Sequence, residues 1–201
     1  MQHTCLQKRR HSIRLKGYDY AKAGMYFFTI CTSNRQILFG TVANAAMQLN
    51  KFGQIIYDEW RKSAEIRHEI RLDMLMVMPN HLHGIVMITE QDVGATGGSP
   101  FPSGPSNHSL GAFIAGFKSA ITTRINRLRG TPEARIWQRN YYEHVIRDEE
   151  SLNRIREYIL NDPAQWEFDP ENPTAGDYSK FYQSQELREV RDDRRSPLRK
   201  I

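Results

Sequence analysis

The stretch "IRLDMLMVMPNHLHGIVMIT", Ile70 to Thr89, decides the fold. Two apolar runs flank "MPNH", where Pro79 and Asn80 are turn formers, so the stretch reads as a hairpin in the middle of a sheet. Side chains at i and i+2 of a strand share a face and lie roughly 6.6 Å apart along it. His81 and His83 therefore point the same way, while Leu82, Gly84, Val86 and Ile88 face a core. Two imidazoles so placed can converge on one metal ion, and a third ligand is needed before the pair amounts to a site.

Around this hairpin the 201-residue chain has the composition of one ordinary globular domain, with 39% hydrophobic and 25% charged residues. Its formal charge of +5 favours a polyanionic partner. Cys5 and Cys31 show no disulfide or metal spacing. With no signal peptide and no membrane-length apolar run, the expected location is a reducing cytoplasm.

The remaining elements follow from patterning. "MYFFTICTS" (Met25–Ser33) reads as a buried strand, followed by a turn at Asn34-Arg35 and a strand-like piece up to about Met47. Asn50 caps a helix carrying Ile55, Ile56, Trp60 and Ala64. Residues 91–109 are Gly/Pro/Ser-rich and read as a flexible loop. Ser109 opens a helix whose apolar face runs from Leu110 to Leu128, and Gly130 ends it. "IWQRNYYEHVIR" is a short aromatic segment. A last helix starts at its cap, Asp148, and stops at Pro163. Residues 1–17 form a basic arm, residues 18–166 the domain, and residues 167–201 a polar tail.

On the last helix Tyr158 and Asp162 are four residues apart and share a face. From the residues alone Tyr158, among Leu152, Ile155 and Ile159, is equally a core tyrosine, and Asp162 a helix-end residue. An acid sits badly against the negative end of the helix dipole, a penalty that a cation would remove.

Taken together, "MPNHLHGIVMI" and "WQRNYYEHVIRDEESLNRIREYILNDPAQW" resemble the REP-associated tyrosine transposases, a branch of the single-tyrosine HUH (His-hydrophobe-His) transposases. The resemblance runs from about Tyr18 to Trp166. It implies an α+β fold, the ferredoxin- or RRM-like HUH nuclease fold, with a central antiparallel sheet and helices packed on it. It implies that His81 and His83 bind a divalent metal, Mg²⁺ or Mn²⁺, and that Tyr158 attacks a phosphodiester to leave a 5′-phosphotyrosine. The third ligand of the family, usually Asn or Gln, falls at Asp162, with Asn161 as the alternative.

The function so implied is metal-dependent nicking and strand transfer of single-stranded DNA at REP-type hairpins, by a bacterial, nucleoid-associated protein that acts as a monomer or a homodimer. Arg14, Lys16, Lys118, Arg124 and Arg139 are candidate DNA contacts, with Trp137 and Tyr142 as stacking partners. His144 reads as structural. Two other readings compete. One is a non-catalytic nucleic-acid-binding module of the same fold. The other is a two-His-one-carboxylate iron oxygenase, which the basic balance disfavours.

Overall fold

A computed structural model describes residues 22–89 and 108–175. In chain order these form β1 (Gly24–Cys31), β2 (Gly40–Ala43), β3 (Ala46–Leu49), α1 (Lys51–Ile66), β4 (Ile70–Val77), β5 (His81–Ile88), α2 (Leu110–Arg129), β6 (Tyr142–Ile146) and α3 (Glu149–Asn161). A 3-10 helix, Pro163–Phe168, continues from α3. The basic arm with Arg14 and Lys16, most of the 91–109 loop and the last 26 positions, 176–201, lie outside the described residues.

The strands β4-β5-β1-β6 make an antiparallel sheet in that order, so the histidine strand is internal, as the hairpin reading requires. Its two faces are separate compartments. Tyr26, Phe28 and Ile30 of β1 join Leu82, Val86 and Ile88 of β5 in the main core, which α1 and α2 cover with Ile56, Trp60, Phe113 and Ile121. The opposite face carries Phe27, Thr29 and Cys31 in register with Ile85, His83 and His81. There α3 lays Leu152, Ile155 and Ile159 on Phe27 and Ile85. Gly84 lies over the Phe28 ring, where an added Cβ would come within 2.4 Å of Cζ.

Local chemistry fixes the helix ends where the sequence placed them. Asn50 accepts from the Phe52 and Gly53 amides, Ser109 from Ala112 and Asp148 from Ser151. Gly130 ends α2 with φ +66°, a left-handed conformation that costs glycine nothing.

Three features depart from the sequence reading. The piece ending near Met47 is a hairpin of its own, β2 against β3, turning at Asn44 and Ala45, both with positive φ. The aromatic segment contains an edge strand, β6, the fourth of the sheet, paired with β1 from Met25↔Ile146 to Thr29↔Tyr142. The packed chain also does not end at Trp166. Asp169 and Asn172 are buried, so residues 167–175 belong to the fold and not to a polar tail.

One irregularity bears on the site. In β4 the register to β5 shifts between Leu72 and Met74. The extra residue is Asp73. The bulge keeps Leu72 and Leu75 on the core side while Met74 and Met76 turn to the α3 side.

Candidate functional site

His81 and His83 are both fully buried, on the sheet face that α3 covers. Their Nε2 atoms lie 3.1 Å apart. Asp162 Oδ2 is 3.2 Å from His81 Nε2 and 3.3 Å from His83 Nε2. The two residues that β5 offers and the one at the end of α3 therefore meet, from positions 81 residues apart. Asn161, the alternative, is exposed. Donors about 2.1 Å from a common ion sit roughly 3.0–3.4 Å from one another, so the spacing and the N/N/O chemistry fit a divalent metal.

Each imidazole is oriented from behind. His81 Nδ1 lies 2.9 Å from Asn80 Oδ1, which can only accept, so Nδ1 carries the hydrogen. His83 Nδ1 lies 2.8 Å from the Thr29 hydroxyl. Both arrangements aim Nε2 at the shared centre, as outer partners of ligating histidines do. Asn80 is itself held. Its amide donates to the Glu171 carbonyl at 2.5 Å and the Arg35 carbonyl at 3.2 Å.

The electrostatics are those of a small buried ionic cluster. Burial alone would push the Asp162 carboxyl up, yet the His83 and His81 charges and hydrogen bonds hold it far below the ordinary carboxylate range. His81 is raised: burial pulls it down, but Asp169, Asp162 and Glu171 outweigh that. Asp169, whose Oδ2 is 3.8 Å from His81 Nε2, is pushed up to about 6, first by burial and then by the Asp162 charge, against the pull of His81.

Tyr158 is half-buried on the same side of α3. Its ring centroid is 5.4 Å from that of His83 and 6.3 Å from that of Phe27. The tyrosine helix therefore lies against the histidines of its own chain. It is tied down one half-turn earlier by Arg156, whose guanidinium grips the bulge residue Asp73 through both carboxylate oxygens, with Nε at 3.0 Å. Trp166 closes the far side, its ring 6.1 Å from that of His81.

The expected DNA contacts fare unevenly. Arg124 is matched by Asp58 and Glu59 at 3.0 and 2.8 Å, so its charge is already used. Trp137 is 5% exposed, packs on Phe39 and donates to the Lys118 carbonyl, and is no open stacking surface. The Lys118 ammonium donates to the Gln138 carbonyl at 2.6 Å, and burial with the nearby Arg135 charge lowers it to about 8. Lys118 and the exposed Arg139 nevertheless line one cleft of about 490 Å³ with Arg135, Gln138 and Tyr141. Tyr142 is on the His83 face, against Phe27. His144 pairs across from Phe27, outside the donor cluster.

Asn80, Thr29 and Asp169 are the site residues that sequence reading missed. "DPENP" (Asp169–Pro173) did carry a signal. Asp169 Oδ1 accepts from the Glu171 amide and Asn172 Oδ1 from that of Thr174, two successive Asx turns that order this segment.

No helix among the described residues is long and apolar enough to cross a membrane. No protein-family model matches the chain. An uncharacterized protein of Haemophilus influenzae is 40% identical over 166 residues, covering 80% of this chain and 91% of its own. A second protein of that organism, provisionally named a REP-associated tyrosine transposase, is 25% identical over 156 residues, covering 73% and 74%. The structure of a REP-associated tyrosine transposase bound to a REP hairpin shares the fold, with a TM-score of 0.52 at 20% identity, over 89% of this chain and 96% of that one. An internal His-x-His strand and a tyrosine helix packed against it accompany these likenesses: along most of its length the chain is similar to REP-associated tyrosine transposases and shares their fold.

Proposed function

We propose that the protein nicks and rejoins single-stranded DNA beside REP-type hairpins through a covalent bond to Tyr158. The observation that carries this is the meeting, on one sheet face and within one chain, of His81, His83, Asp162 and the Tyr158 ring.

A divalent ion, Mg²⁺ or Mn²⁺, held by His81, His83 and Asp162, supplies Lewis-acid polarisation of the scissile phosphate. The chain's own residues do the rest. Tyr158 Oη attacks phosphorus and loses its proton. The P–O3′ bond breaks, the 3′ oxygen takes up a proton and leaves as a hydroxyl, and the 5′ phosphate stays on the tyrosine. One phosphoester replaces another, so the break can be resealed without ATP. A phenol with an ordinary pKa near 10 is a weak nucleophile at neutral pH, so position must compensate. α3 provides it, because Tyr158 and Asp162 stand one turn apart on a single rigid helix clamped to β4. Trp166 and the segment after it shield the histidines from water. Arg139 and Tyr142 are the proposed contacts to the DNA strand, with Lys118 in the adjoining cleft.

The test is incubation of the full chain with a single-stranded REP-type hairpin carrying flanking sequence, with Mn²⁺ or with EDTA, and a denaturing gel for protein–DNA adducts. A metal-dependent adduct that vanishes in Tyr158→Phe, with hairpin binding kept, supports the mechanism. Hairpin binding without adduct from the wild type would instead assign the chain as a binding module.

A further inference from the structure

The proposed function leaves one buried acid beside the histidines without a role. Asp169 is 4% exposed and lies just beyond the 3-10 helix that begins where Asp162 ends. Its two oxygens are differentiated. Oδ1 accepts the Glu171 amide at 2.6 Å, which fixes the carboxylate plane. Oδ2 is turned to the cluster, 3.8 Å from His81 Nε2. The segment cannot easily swing away, because Asn172 Nδ2 donates to the Trp166 carbonyl at 2.9 Å and Asn80 holds the Glu171 carbonyl. Arg35 pairs with Glu171 at 3.2 Å on the outside.

Two arguments give this carboxylate a purpose. The first is charge. His81, His83 and Asp162 around a divalent ion leave one uncompensated positive charge in a fully buried place, which is costly. A second carboxylate brings the sum to zero. The second is distance. Donors to one octahedral ion lie roughly 3.0 Å apart when adjacent and 4.2 Å apart when opposite. The 3.8 Å separation from His81 falls inside that span, although Asp169 stands outside the tight group that His81, His83 and Asp162 form and must close on the ion to join it.

We propose that Asp169 is a fourth protein donor to the ion held by His81, His83 and Asp162. This rests on the metal-dependent reading above. The resulting set of two imidazoles and two carboxylates is harder than a three-residue set, and favours Mn²⁺ over Zn²⁺ more than His81, His83 and Asp162 alone would. It leaves two positions of a six-coordinate ion for solvent or phosphate oxygens.

The experiment is Mn²⁺ and Zn²⁺ titration of the full chain by calorimetry, comparing wild type with Asp169→Asn, Asp169→Glu and Asp162→Ala, each first checked for native circular dichroism. Water-proton relaxation then counts the waters on bound Mn²⁺. Asn keeps an oxygen for the Glu171 amide. Loss of a group that only orients a ligand costs about 10–100-fold in affinity, and loss of a donor costs at least as much. Asp169→Asn is therefore expected to weaken Mn²⁺ by at least that factor, Zn²⁺ by less, and to add one water to the ion, with Asp169→Glu recovering Mn²⁺ binding. Unchanged Mn²⁺ affinity in Asp169→Asn, beside a large loss in Asp162→Ala, overturns the role of Asp169 alone. Weaker binding with no added water also overturns it, since Asp169 would then only position another ligand. Equal Mn²⁺ binding by wild type and Asp162→Ala overturns the metal reading itself.

Discussion

Asp169→Asn should make the EDTA-treated protein more stable at alkaline pH, although it removes a buried group with several contacts. The Asp169 carboxyl stands at about 6 in the folded chain against an ordinary 3.8, because burial and the Asp162 charge disfavour its ionised form. Between those values the folded state holds a proton that the unfolded chain has released. Stability therefore falls as pH rises from 3.8 to about 6, and the full cost is present above that window. About two pH units at about 1.4 kcal/mol each come to about 3 kcal/mol. Asparagine cannot ionise and still offers Oδ1 to the Glu171 amide.

Urea denaturation with EDTA should thus give the variant an advantage of about 3 kcal/mol at pH 8, shrinking to about half that at pH 5. With Mn²⁺ at a hundred times the wild-type Kd, the wild type should gain about 2.7 kcal/mol from binding, and the variant much less, so the advantage largely disappears. A variant less stable than wild type at pH 8 in EDTA, or an advantage equal at both pH values, would refute the reasoning.

Asn80→Ala removes the acceptor that fixes His81 Nδ1 and the tie to Glu171, and should weaken Mn²⁺ binding about 10–100-fold by calorimetry. Gly84→Ala drives a methyl into the Phe28 ring, which Trp60 and Phe113 pin from behind, and should cost about 1–3 kcal/mol in urea midpoint analysis. Asp73→Ala frees Arg156 at the surface, so its effect on global stability should stay under about 1 kcal/mol. The same change should speed amide hydrogen exchange in Glu149–Asn161, and unaltered exchange would show that the clamp does not hold α3.

How far the sequence carries can be seen residue by residue. The His81/His83 face, the core positions opposite it and the caps at Asn50, Ser109 and Asp148 are dictated by periods of two and 3.6 and by orphan amides, all local facts. Strand β6 was not legible, because five residues of "YEHVI" show little alternation and owe their conformation to β1. The bulge at Asp73 hides in a run of apolar residues in which both phases look alike. Asp162 was legible as a candidate ligand chiefly through the family resemblance. Asp169 was missed because it precedes a proline in a stretch without periodicity, and its place is set by Asn80, which meets Glu171 from 91 residues away. The basic residues show a limit of the opposite kind. A charge in the sequence says nothing of its partners, and Arg124 is matched by Asp58 and Glu59 on α1.

The two-faced sheet has a consequence for how such a protein can change. Along β1 and β5, adjacent letters of the sequence answer to different constraints. Tyr26, Phe28, Leu82 and Val86 are held by packing under α1 and α2. Phe27, Thr29, His81 and His83 belong to the side under α3, which we propose to be the reactive one. On that proposal, substitutions confined to the second set alter metal, nucleophile environment or substrate fit while the main core is untouched. Substitutions in the first set tune robustness and leave the chemistry in place. A lineage with this sheet varies its proposed chemistry at alternate residues, each change weighed only against the smaller core that α3 forms with Phe27 and Ile85.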